Sequence, residues 1–163
     1  MNSNYYHTFS TQYDSIAREI ISDIFISDAT IRIDFPNSDK TNVFQCKGLW
    51  DTGATYSVIS DKIVKQLKLP IISKTPIIGV NGRFETTTHI VDLWLPNHAV
   101  FRKVRVIKGT FNKEFDVLIG MDIITRGDFA ISNFNGKTLF SFRSPSVASV
   151  DFVKIAEISN KNV

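Results

Sequence analysis

The sequence predicts a single, mostly β domain, and three observations carry that reading. Apolar and polar residues alternate with a period of two through several segments, as half-buried strands require. Two Asn-Gly dipeptides, Asn81-Gly82 and Asn135-Gly136, each separate two strand-like runs, and Asn-Gly is the strongest short hairpin signal. Thirteen Phe residues point to strand-rich packing. At 163 residues the chain has the length of one domain and can bury a core without disulfides.

The elements follow in order. Residues 1–15 are polar with interspersed tyrosines and read as a loosely ordered arm. From Ile20 the pattern turns to strand, with Ile20, Ser22, Ile24 and Ile26 on one face. Ile31, Ile33 and Phe35 then alternate with Thr30, Arg32 and Asp34, and residues 36–40 are a turn cluster. Val43 to Trp50 is a strand that runs directly into Asp51-Thr52-Gly53. Ser60 or Asp61 caps a short helix that turns Ile63, Val64 and Leu67 inward and Lys62, Lys65 and Lys68 to water, and Pro70 ends it.

Thr75 to Val80 and Arg83 to Leu95 flank the first Asn-Gly turn, whose two residues must reach positive φ. Val100 to Ile107 is a further strand. Its basic stretch from Arg102 to Lys108 alternates like a strand with one solvated face, a reading favoured over the alternative of a polyanion-binding strip, which a steep salt dependence of DNA binding would mark. Phe115 to Ile119 is a strand, followed by Gly120 and a short helix from Met121 to Arg126 with Gly127 as its C-cap. Phe129 to Phe134 and Lys137 to Phe142 make the second hairpin, and Phe129, Phe134, Phe140 and Phe142 read as core. A helix beginning near Ser149 or Asp151 is expected in the tail.

Composition excludes several classes. The net charge of +3 is too small to imply nucleic-acid binding. Apolar runs are a few residues long, against about 20 for a membrane span. The first residues carry neither a basic region nor an apolar stretch, so no secretory signal is read, and one cysteine permits no internal disulfide. The expected location is cytoplasmic. Cys46 reads as a buried small hydrophobe. His89 and His98 have no metal-ligand spacing, and no metal or cofactor is expected.

The segment that carries chemistry is Asp51-Thr52-Gly53-Ala54-Thr55. A carboxylate at the end of an apolar strand is an unusual place for a charge. Gly53 permits a tight turn, and Thr52 sets a hydroxyl beside the acid. On its own the tripeptide reads as a β-turn after a strand. Three further features change that. A second apolar run, Tyr56 to Ser60, follows the motif. A glycine-flanked hairpin tip, Gly79-Val80-Asn81-Gly82, lies downstream as a plausible lid. Val117-Leu118-Ile119-Gly120-Met121-Asp122 then gives an apolar strand, a glycine and a short helix.

With these motifs in this order, the chain resembles the retropepsin-like aspartic proteases, the single-domain family of retroviral, retrotransposon and related cellular proteases. The resemblance covers roughly residues 20–142. It implies an acid-protease fold: a closed, barrel-like β-domain with one or two short helices, working as a two-fold homodimer. It implies a domain at residues 20–143, an N-terminal arm at 1–19 and a C-terminal extension at 144–163. Asp51 matches the catalytic aspartate. Thr52 matches the residue whose hydroxyl reaches the partner's main chain, and Gly53 and Ala54 continue the loop. Ile78, Gly79, Val80, Asn81 and Gly82 match the substrate-covering flap. Ile119 and Gly120 match the strand and glycine beside the active-site loop. The retroviral branch sets an acid after the Ala and an arginine after the later Gly. Here those positions are Thr55 and Met121, so both halves of that ion pair are absent together.

Chemistry of this kind needs two carboxylates that share a proton, one as general base on a water and one as general acid on the scissile carbonyl. The chain has one such motif, since Asp116, Asp122 and Asp128 are not followed by the right residues. The expected enzyme is therefore a homodimeric endopeptidase acting on polypeptides, with Asp51 of each subunit at the axis. The alternative is a non-catalytic dimeric module that captures an extended peptide by strand addition. An intact Asp51-Thr52-Gly53 favours the enzyme.

Overall fold

The computed structural model describes residues 6–30, 42–79, 82–111 and 114–160. Ten strands and three helices follow one another in the order β1 (His7–Gln12), β2 (Ile21–Asp28), β3 (Val43–Trp50), β4 (Val58–Ser60), α1 (Asp61–Gln66), β5 (Ser73–Gly79), β6 (Gly82–Trp94), β7 (Val100–Gly109), β8 (Val117–Ile119), α2 (Met121–Ile124), β9 (Asp128–Ser132), β10 (Leu139–Ser144) and α3 (Phe152–Asn160). The larger sheet runs β2-β3-β8-β4-β7-β6-β5, and a further pairing of β2 with β6 closes six of its strands into a barrel. β5 stays outside the ring, paired among the described residues with β6 alone. The smaller sheet has the order β1-β10-β9.

Alternation explains the barrel wall. Ile20, Ser22, Ile24 and Ile26 are all buried, as are Phe44, Cys46 and Trp50 across the pair. The two buried indoles keep their N–H groups satisfied. Trp50 Nε1 donates to Ser22 Oγ at 3.0 Å and Trp94 Nε1 to Ser27 Oγ at 3.2 Å. Val104 and Val106 face the core from β7, while Arg102, Lys103 and Arg105 are exposed. At the β6–β7 bulge, buried Asp92 accepts from Arg102 Nη1 at 2.6 Å and from the Lys103 amide at 2.8 Å. Ser60 caps α1, which buries Ile63 and ends at Leu67.

The N-terminal segment corrects the sequence reading. His7–Gln12 is no loose arm but a strand, paired antiparallel with β10 from His7 opposite Ser144 to Gln12 opposite Leu139. Its polar composition hides one inward aromatic. Phe9 packs on Phe140 with ring centroids 5.6 Å apart and on Trp50 at 6.2 Å. Trp50 also touches Phe142 at 4.9 Å, Phe140 at 5.1 Å and Phe129 at 5.8 Å. This aromatic cluster bonds the small sheet to the barrel immediately beneath Asp51.

Several other expectations shift. Phe134 is 78% exposed and not core. It opens a 3₁₀ turn, Phe134–Gly136, in which Asn135 (φ 51°) and Gly136 (φ 73°) take the positive φ foreseen for that dipeptide. The last strand pair is Ser132 with Leu139, so the loop is longer than two residues. The first hairpin pairs Gly79 with Gly82, which places Gly82 in β6 instead of in the turn. Val80 and Asn81 lie outside the described residues, as do the strand and turn expected at 31–40. α2 is shorter than expected and is capped by Thr125, not Gly127. α3 starts where expected, with Asp151 Oδ1 accepting from the Val153 amide at 3.0 Å. Among the described residues no helix is long and apolar enough to cross a membrane.

Candidate active site

Asp51 sits where β3 stops. β3 runs parallel to β8, with Gly48, Leu49 and Trp50 opposite Val117, Leu118 and Ile119. On its other side β8 pairs antiparallel with β4, Val58 opposite Leu118 and Ile59 opposite Val117. β8 therefore lies between the two strands that the loop 51–57 connects. That loop is fastened to β8 and α2 at every turn. The Asp51 amide donates to Ile119 O at 2.9 Å, and the Met121 amide donates to Ala54 O at 2.8 Å. The Gly120 amide donates to Ser57 Oγ at 3.1 Å, and Ser57 Oγ donates to Asp122 Oδ1 at 2.8 Å.

Gly120 is required by space. A Cβ there would stand 2.7 Å from the Tyr56 carbonyl carbon, 2.8 Å from its oxygen and 2.9 Å from Ala54 O. All three are backbone atoms and cannot swing aside.

The Asp51 carboxylate is held from within its own turn. Its Oδ1 accepts from the Gly53 amide at 2.8 Å, and the Ala54 amide closes the turn on Asp51 O at 3.3 Å. Oδ2 takes no hydrogen bond among the described residues. Asp51 and Ala54 are half-buried, while Thr52 and Gly53 are exposed. The result is a hydrogen-bonded loop whose half-buried carboxylate, unbonded at Oδ2 among the described residues, stands beside the exposed Thr52 and Gly53.

The model of the aspartyl protease family matches residues 40–123, just over half of the chain and the stretch that holds this loop. The chain belongs to the aspartyl protease family. Its fold is that of the retropepsin-like branch. The chain is similar to a retropepsin-like aspartic protease from Rickettsia conorii, at 14% identity with a TM-score of 0.53, over 86% of this chain and 96% of that one. It is also similar to EIAV protease solved with the inhibitor HBY-793, at 22% identity and a TM-score of 0.45, over 66% of this chain and 86% of that one. A third likeness is to the retroviral protease-like domain of Ddi1 from Leishmania major, at 16% identity and a TM-score of 0.41, over 74% and 93%. No curated protein matches.

Within this aspartyl protease family member, the residues picked out from sequence divide into groups. Asp51, Gly53, Ala54, Ile119 and Gly120 come together in one hydrogen-bonded unit, with Thr52 exposed inside its turn. Ile119 accepts the Asp51 amide with its carbonyl and pairs with Trp50 across the strands. Its side chain is fully buried beside Gly48. Ile78, Gly79 and Gly82 stand on the β5–β6 hairpin, while Val80 and Asn81 lie outside the described residues.

Two residues escaped the sequence reading. Ser57 is completely buried, and Asp122 carries no motif, since no Thr-Gly follows it. Together they fasten the same two segments that the retroviral acid–arginine pair would join, where this chain has Thr55 and Met121. The available signal was a hydroxyl at the mouth of an apolar strand and a carboxylate at the first turn of a short helix. Cys46 is buried as expected, and burial, aided by Asp116, pushes its thiol well above the ordinary range.

Proposed function

We propose that the chain is an aspartic endopeptidase that hydrolyses polypeptides with a water activated by two Asp51 carboxylates, one from each subunit of a two-fold homodimer. The observation that carries this reading is the Asp51 turn: a carboxylate oriented by the Gly53 amide, open at Oδ2, on a loop bolted to β8. The second carboxylate must come from another copy, because the chain holds one Asp-Thr-Gly. The exposure of Thr52 and Gly53 supports an approach from that side. One Asp51 would accept a proton from the attacking water while its partner donates to the scissile carbonyl oxygen. The β5–β6 hairpin would cover the substrate, with residues 78–82 over the cleft and the Asp51–Ala54 loop as its floor.

The test is peptide hydrolysis by wild type and Asp51→Asn over a dilution series. Specific activity should fall as the protein is diluted through the dimer dissociation constant, and the variant should be inactive but folded. Activity that survives in Asp51→Asn, or a monomer whose specific activity ignores concentration, overturns the shared site. Dimers that bind peptide without cutting it would favour the non-catalytic module.

A further inference from the structure

A small pocket opens between the Asp51 loop and the root of the β5–β6 hairpin. It is lined by Tyr56, Thr75, Thr88, Arg105 and Ile107 and encloses about 160 Å³. That is the share of about five liquid waters, room for one side chain and too little for a drug-sized ligand.

Strand register brings its walls together. Thr88 pairs with Ile107 and Ile90 with Arg105, so Thr88, Arg105 and Ile107 stand on one face of the β6–β7 pair. Thr75 reaches that face from β5, its hydroxyl 2.7 Å from that of Thr88. The Ile107 amide donates to Ser57 O at 3.1 Å, which draws the loop, and with it Tyr56, against β7.

The lining is rich in donors and holds no carboxylate. Arg102 and Arg143 are each committed to an aspartate, Asp92 and Asp128. Arg105 is exposed and has no carboxylate partner among the described residues. The Thr75–Thr88 bond uses one hydroxyl proton and leaves the other available, and Tyr56 adds a phenol. Ile107 supplies an apolar wall for methylene groups. A guanidinium fork with neutral hydroxyls around it is a carboxylate receptor.

We infer that this pocket is a specificity subsite for an acidic side chain of the polypeptide substrate, with Arg105 as the residue that selects the carboxylate. The inference rests on the protease reading above. Tyr56 follows Asp51 by five residues, and five residues span at most about 18 Å. An extended substrate rises about 3.3 Å per residue, so the acidic residue lies within about five positions of the bond that is cut.

The experiment uses fluorescence-quenched decapeptides with a central Phe-Phe, in which Glu, Gln or Lys is walked through the other positions. At one position the wild type should prefer Glu over Lys by about tenfold in kcat/KM. Arg105→Gln should abolish that ratio, and Arg105→Glu should reverse it. The same peptides, labelled, are titrated onto Asp51→Asn with and without Arg105→Glu, and binding is read by anisotropy. If wild type cuts peptides and all three proteins show one charge preference, the subsite is overturned while the protease reading stands. If nothing is cut but binding shows a Glu preference that Arg105→Glu reverses, the protease reading fails and the subsite stands. Neither cleavage nor binding showing a charge preference that depends on Arg105 overturns the subsite.

Discussion

Ser57 and Asp122, 65 residues apart in the chain, are joined by a 2.8 Å hydrogen bond that ties the loop after Asp51 to the helix after Gly120. The same hydroxyl accepts the buried Gly120 amide. One side chain thus satisfies two groups on the far segment.

Replacing Ser57 with Ala removes both bonds and leaves the buried Gly120 N–H without an acceptor. The expected cost is about 1–3 kcal/mol of stability. Because the loop that loses its fastening carries Asp51, peptide hydrolysis should fall by more than the unfolded fraction explains. Urea unfolding and kcat/KM on the same preparation check this. Wild-type values for both would show that the bond is dispensable.

Gly120→Ala forces a Cβ to within 3 Å of three backbone atoms. Overpacking of this kind costs about 1–3 kcal/mol, which lowers Tm by about 2–12 °C in a chain of this size. Scanning calorimetry reads the shift directly, and an unchanged Tm would mean that the loop and α2 separate freely.

Phe9→Ala tests the first strand. The side chain is partly buried and meets Trp50, Phe140 and Phe142. Its loss should destabilise the fold by about 1–3 kcal/mol. A segment that was only an arm would lose nothing, so an unaltered denaturant midpoint would restore the looser reading.

Asp128 gives a pH signature. The Ser146 hydroxyl, the Val147 amide and Arg143 all donate to its carboxylate and lower its pKa from 3.8 to about 2. A carboxyl with a depressed folded pKa adds stability that is complete above its unfolded pKa and is lost as pH falls through the folded one. The gap in denaturant midpoint between wild type and Asp128→Asn should therefore be constant above about pH 5 and should close between about pH 4 and 2. A gap that does not vary with pH would assign the effect to packing.

What the sequence made legible follows from the range of each signal. β2, β3, α1 and the two hairpins are written in alternation, a Ser60 cap and Asn-Gly dipeptides, all local. The Asp51 loop and the Ile119-Gly120 segment were legible as motifs, each within a few residues. The first strand of the small sheet was not, because β1 advertises itself by a single inward Phe9 among polar neighbours and gains its place from β10. Ser57–Asp122 was missed for the same reason: neither residue is unusual until β8 brings their segments together. Phe134 was misplaced because a phenylalanine beside an Asn-Gly turn follows the turn outward instead of the strand inward.

The position of β8 between β3 and β4 sets a timetable for the nascent chain. Asp51 and its turn are made early, yet the carbonyl that receives the Asp51 amide, the amide that meets Ala54 and the strand that parts β3 from β4 all belong to residues 117–121. Contacts so distant in sequence close late. A ribosome-bound or truncated chain that stops before Val117 carries the whole Asp-Thr-Gly sequence without the β8 and α2 bonds that fasten its loop. The loop that carries Asp51 is thus fastened only once residues 117–121 have been made, a delay written into the order of the strands.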